Sequence, residues 1–340
     1  MRRFRINKET FALFFGSNFL LFFIVFLYLI VGIINHKYLS IVALKNVLTQ
    51  ASIIGVLSIG MTFVIISGGI DLSVGSVMAL TSIITAWTNL EIGFPFVISL
   101  ILGLSVGIVS GALGSSFILY LKLPPFISTL GLLIIFSGLA RFIGEDNLFS
   151  GLPDSFNFLW TGEVIGIPVP IIIFLGLAIV ANIVKNYTAF GRNNAVIGSN
   201  YRAAVICGVN IKRSIYSYYI ISGLLATIAG LFMTARLNSG QALIGKSYEM
   251  YAITAAVVGG ASLNGGIGSI KGAVYGAILI SIIYTGISFI GLSSYYQEIF
   301  IGFVLILAVM INRIREESKN ARFLLKNGKP KIIEVAKNEA

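Results

Sequence analysis

Side chains that carry chemistry are scarce in this 340-residue sequence. A single cysteine, Cys207, and a single histidine, His36, exclude a disulfide framework and any thiolate or imidazole cluster for zinc or redox chemistry. Charged residues make up 11% of the chain, against about a quarter of a soluble domain. Hydrophobic residues make up 57%, and the mean hydropathy is +0.95. A chain so short of charge and so rich in long apolar runs belongs in a bilayer, where each run must satisfy its own backbone as a helix. No nucleophile, base and orienting group stand together on a recognisable motif, so nothing points to a membrane enzyme.

The pattern predicts an all-α polytopic membrane protein of about ten transmembrane helices, some short or re-entrant. The apolar spans are Phe11–Ile34, Asn46–Ile66, Val74–Trp87, Phe94–Leu121, Phe126–Ile143, Pro168–Val184, Ile215–Ala235, Tyr248–Leu263, Gly272–Gly291 and Ile299–Ile311. Val74–Trp87 and Tyr248–Leu263 are too short for full spans and read as half-helices beside irregular backbone. The first span follows "MRRFRINKET", exceeds a signal-peptide core and lacks a small-residue cleavage site, so it is expected to remain as an anchor.

Basic residues set the orientation. With the N-terminus in the cytoplasm, the outer segments hold only five of the 24 Lys and Arg residues: Lys37, Lys45, Arg141, Arg236 and Lys246. The acidic residues divide almost evenly, as a rule specific to Lys and Arg requires. Both termini are therefore expected to be cytoplasmic, with residues 1–312 forming the membrane domain and 313–340 a basic tail. The net charge of +11 is explained by topology and anionic lipid, without a nucleic-acid partner. Residues 144–167, with Glu145, Asp146, Asp154 and Glu163, form an acidic outer loop; residues 186–214 form a basic inner one.

Within that inner loop, "SNYRAAVICGV" reads as a short helix with Asn200 as N-cap, Ala203 and Ala204 as a small-residue patch, and Gly208 as a left-handed stop. Such a helix is shaped for docking, or is an ordinary connector lying on the membrane. In "GMTFVIISGGIDLSVGSVMAL", the pair Gly68 and Gly69 breaks one helix before Asp71 and Ser73 open the next. Asp71, too costly to face lipid, either caps that helix or serves substrate passage. "VVGGASLNGGIGSIKGAVYGA" repeats the theme: pairing Gly68 with Gly259 also matches Gly69 with Gly260, Leu72 with Leu263 and Gly75 with Gly266.

These motifs, with "AVIGSNYRAAVICGVNIKRSIY" and "SGLLATIAGLFMTARLNSGQ", resemble the membrane-spanning permeases of bacterial ABC importers for ribose, xylose, galactose and related sugars, over roughly residues 46–312. The resemblance implies a multi-pass protein of the bacterial inner membrane, paired with a second permease as a homodimer or a heterodimer. It also implies two cytoplasmic ATPase subunits that bind ATP and Mg, an external sugar-binding protein, and no cofactor in this chain. It makes the loop helix, with Gly198, Asn200, Ala203, Ala204 and Gly208, the coupling helix that fits the ATPase. Tyr201 and Arg202 stand where relatives commonly carry acidic residues, which calls for a matching change on that subunit. Thr62, Ser67, Ser73, Asn264 and Asp71 are candidates for the path or gate; helix-packing hydroxyls are the other reading of the uncharged ones. The competing class is a stand-alone secondary transporter or channel. Against proton coupling stands the scarcity of intramembrane ionisable groups, chiefly Asp71.

"GQALIGKS", Gly240 to Ser247, fits the phosphate-loop pattern G-x-x-x-x-G-K-[ST]. A phosphate loop needs a strand before it and a magnesium-binding aspartate elsewhere, and this segment follows a membrane helix on the outer side. It reads as a false match, and Lys246 as a possible contact for the external binding protein.

Overall fold

The structure is a computed structural model that describes residues 8–145, 147–293 and 295–326, with side chains described from residue 19 to residue 314. Arg2, Arg3, Arg5, Asp146 and the tail beyond Lys326 lie outside the described residues. The helices are α1 (Lys8–Ile34), α2 (Ile41–Ile66), α3 (Val74–Leu90), α4 (Phe96–Leu119), α5 (Pro125–Gly144), α6 (Asp154–Thr161), α7 (Val169–Tyr187), α8 (Ala189–Ser199), α9 (Tyr201–Ile206), α10 (Ile211–Leu237), α11 (Tyr248–Val258), α12 (Ile270–Ile290) and α13 (Tyr295–Lys326). A 3-10 turn (His36–Leu39) and four two-residue strands complete the order. β1 (Phe149–Ser150) pairs antiparallel with β4 (Ser239–Gly240), and β2 (Glu163–Val164) with β3 (Ile167–Pro168).

Burial follows the apolar pattern of each helix. Apolar on every face, α2 is enclosed along its whole membrane-length window and packs on α7, α10, α11 and α12. The outer helices keep large apolar residues exposed, among them Phe126, Ile127 and Ile134 on α5 and Phe303 and Ile306 on α13. Water does not tolerate such continuous apolar surface, whereas lipid or a partner helix does. Among the described residues, seven helices are long and apolar enough to cross a membrane, and Phe19–Ile34, Val74–Leu90 and Tyr248–Val258 are shorter apolar helices. The fold is therefore polytopic and helical. The eighth predicted span stops at Val258 instead of Leu263, because Gly260 turns left-handed. α13 starts at Tyr295 and continues past Asn312 to Lys326.

Close helix contacts use small residues. Gly107 of α4 and Gly223 of α10 lie backbone to backbone, and a methyl group on either would overlap the other's carbonyl. Several side-chain hydroxyls in these helices bond back to carbonyls of their own helix, as Thr62 does to Ser58 at 2.6 Å.

Two broken-helix units face each other in opposite senses. α2 leads through residues 67–73 into α3, and α10 leads through residues 238–247 into α11. Gln50 of α2 meets Arg236 near the end of α10, while Gly60 meets Ser222, so α2 and α10 run antiparallel. Gly230 meets Met78, and Thr234 meets Ser82, so α3 runs parallel to α10. α11 runs beside α2, from Tyr248 near Gln50 towards Ala261 and Gly268 near Ile66. The first turns of α3 and α11 consequently meet inside the bundle, where Gly75 lies against Gly245 and Glu249.

Candidate functional site

The two helix breaks have the same geometry. At the end of α2, Gly68 is left-handed (φ +86°) and the N–H groups of Gly68 and Gly69 donate to the carbonyls of Ile65 and Val64, at 2.9 and 3.0 Å. At the end of α11, Gly260 is left-handed (φ +94°) and the N–H groups of Gly260 and Ala261 donate to Val257 and Ala256, both at 2.9 Å. Both are Schellman caps, which require glycine at the left-handed position. Gly68 therefore corresponds to Gly260 and Gly69 to Ala261, one residue displaced from the match of Gly68 with Gly259 read in the sequence. The displacement arises because Ser67, not a glycine, fills the position that Gly259 holds in the second unit.

Gly198, near the end of α8, sits between these breaks. A Cβ on Gly198 would overlap the carbonyl of Ile66 and the N–H of Gly266, and Gly265 lies against Gly198 on its other side. The N–H of Gly266 donates to Ile66 O at 2.8 Å, so the breaks are also joined directly. Two asparagines tie further elements to the same helix ends. Asn194 of α8, fully buried, donates to Phe63 O at 3.1 Å, and Asn312 of α13 donates to Val257 O at 3.1 Å. Asn264, exposed beside Gly265, gives its N–H to the hydroxyl of Ser262.

α9 projects from this junction. The Asn200 side chain accepts from Ala203 N–H at 3.0 Å, and Gly208 (φ +73°) ends the helix. Ala204 is fully buried beneath the helix and Ala203 is half-buried, so the alanine patch seats α9 on the bundle. The outward face consists of Tyr201, Arg202, Val205 and Ile206, with Ile206 86% exposed. Lys185, Arg192, Lys212 and Arg213 stand on the adjoining elements. Exposed aliphatic residues amid basic ones suit a partner's groove or the membrane surface. The sequence reading missed α8; Thr188, whose hydroxyl accepts from Gly191 N–H at 3.4 Å, is the capping signal that marks its start.

Asp71 lies inside the bundle at 2% exposure. One carboxylate oxygen accepts from the N–H and hydroxyl of Ser73, at 3.1 and 2.6 Å; the other accepts from Ser222 of α10 at 2.8 Å. Ser73 also contacts the Ser110 hydroxyl of α4 at 3.3 Å. One carboxylate thus pins three elements at the start of α3. Ser67 bonds back to Val64 O at 2.7 Å. Thr62, Ser67, Asp71 and Ser73 line neither of the two cavities described next.

The octapeptide Gly240 to Ser247 is a compact run of turns between β4 and α11. The strand ahead of it, absent from the sequence expectation, is a two-residue bridge paired with β1. Gly245 is buried with its backbone on that of Gly75, where a Cβ would overlap Gly75 O, so this glycine serves helix packing. A cavity of about 440 Å³ lies between this loop, α3 and α5, with Lys246 at its edge. A second cavity, about 600 Å³, lies at the end of the bundle opposite α9. There Arg236 donates to Gln50 at 2.5 Å and stands over the Trp160 ring at 5.3 Å, and Lys45 pairs with Glu163 at 2.9 Å.

Comparison with known proteins agrees with this architecture. Residues 43–309 match the family described as the permease component of the branched-chain amino acid transport system. A ribose import permease of Bacillus subtilis is 39% identical over 84% of this chain and 89% of its own. A D-allose transport system permease of Escherichia coli is 34% identical over 90% of this chain and 94% of its own. A xylose transport system permease of the same organism is 31% identical over 82% of this chain and 86% of its own. No solved structure gives a significant match. With matches that span the broken helices, the Gly198 junction and α9 alike, this chain belongs to that family, as a multi-pass inner-membrane permease component of an ABC importer and not as an enzyme.

Proposed function

We propose that this permease, paired with a second copy, forms the path by which a pentose or hexose of the ribose, allose or xylose kind enters the cell. An external binding protein delivers the sugar, and separate ATPase subunits bind ATP and Mg. The distribution of Lys and Arg favours ten spans with both termini in the cytoplasm. In that orientation α9 faces the ATPase, Ala203 and Ala204 seat it, Val205 and Ile206 fill the partner's groove, and Gly240 to Ser247 serves the path rather than a nucleotide.

The observation that carries this reading is the junction at Gly198. A helix with an exposed apolar face is attached, through α8, to the ends of both broken-helix units. ATP moves the permease only if ATPase closure favours one arrangement of these units over another. The Gly198 contact is where that preference enters the bundle. Thr62, Ser67, Ser73 and Asn264 lie along the same units and bound their movement, and Asp71 holds the start of α3 through it.

Proteoliposomes holding the permease, ATPase and binding protein, with ATP inside, test the reading directly. Sugar uptake that requires all three proteins and ATP is the expected result. Uptake by the permease alone, indifferent to ATP, would establish the stand-alone carrier instead.

A further inference from the structure

The charged residues around the smaller cavity have no role in the packing described so far. Its floor is the meeting point of α3 and α11, with Gly75 and Ser76 from the one and Glu249 from the other. Its wall is α5, with Ser137 and, about one turn further along, Arg141. Lys246, from the loop ahead of α11, stands across from α5. Arg141 and Lys246 are exposed, Glu249 is half-buried, and among the described residues none of the three makes an ion pair. The Glu249 carboxylate accepts from the backbone N–H groups of Ser247 and of Glu249 itself and packs against Gly75, which holds it at the start of α11 on the floor of the cleft. A half-buried carboxylate at the start of a helix inside the bundle is costly, and it persists where a polar solute or water meets it.

We propose that this cleft is the sugar-contacting wall of each permease: Glu249 accepts from sugar hydroxyls, while Arg141, Lys246 and the hydroxyl of Ser137 donate to them. The proposal rests on the import reading and adds the site and its chemistry. A vicinal diol presents donors and acceptors a few ångströms apart, which a carboxylate opposed by cationic donors matches through charge-assisted bonds. Inverted half-helices that meet within the bundle are the arrangement in which carriers place solutes. Close packing of Gly75 on Gly245 keeps the floor thin enough to part when the units move.

The test uses the assembled importer in proteoliposomes with Cys207→Ser as background. Ser137→Cys and Gly138→Cys are expected to react with a charged, membrane-impermeant methanethiosulfonate from outside at least tenfold faster than Ser99→Cys, a buried position on α4. Uptake of D-ribose, D-allose and D-xylose is then measured for Glu249→Gln and Arg141→Gln. Both are expected to assemble with the ATPase, yet to lose at least tenfold in uptake of whichever sugar the unsubstituted importer carries, with partial recovery in Glu249→Asp. Unreactive cysteines, or full uptake in both substituted importers, overturn the site and leave the import reading standing. Absence of ATP-dependent uptake in the unsubstituted importer overturns both.

Discussion

The N–H of Gly266 and the carbonyl of Ile66, 2.8 Å apart, join the two broken-helix units at one point, and Gly198 of α8 fills the space beside that bond. Each partner is backbone, so the contact depends on what is absent from the side chains. Gly198→Val is expected to destabilise the permease by about 1–3 kcal/mol, as overpacking does. Thermal unfolding in detergent checks this, and an unchanged midpoint would show that the junction has slack.

Ile206 separates docking from folding. At 86% exposure it contributes little to the bundle, so Ile206→Glu should leave stability within about 0.5 kcal/mol. The same substitution places a charge in the proposed ATPase groove and should reduce co-purification of the ATPase at least tenfold. Undiminished co-purification would move the docking surface away from α9. Ala204, by contrast, is enclosed beneath the helix, and Ala204→Arg should disturb folding itself.

Ser222 tests what Asp71 does. Its hydroxyl is the donor that ties the Asp71 carboxylate to α10. Ser222→Ala leaves one carboxylate oxygen without that donor in a buried site, at a cost of about 1–3 kcal/mol. Denaturant or thermal unfolding measures it. A neutral effect, together with faster transport, would show that the carboxylate network is a gate and not a pin.

The sequence made the helix breaks visible because a left-handed cap admits glycine almost alone, and Gly68, Gly208 and Gly260 each take that conformation. Asn200 was legible for a similar local reason: its side chain serves an N–H only three residues away. The facing of α9 was not legible. Six residues give too little periodicity to show that Ala204 points inward and Ile206 outward. α8 was hidden by Gly191, Asn193 and Asn194, poor helix formers that tertiary contacts hold, as when Asn194 reaches Phe63. The cleft of Arg141, Lys246 and Glu249 draws on two segments far apart in the chain, so no local pattern announces it.

Asn194→Ala examines the linkage with the least disturbance, because it removes the bond from α8 to Phe63 O without adding bulk. The decisive quantity is sugar moved per ATP hydrolysed by the reconstituted importer. If α9 drives the broken helices through α8, this ratio falls at least tenfold while hydrolysis continues. An unchanged ratio in a stably assembled importer would contradict transmission through this junction.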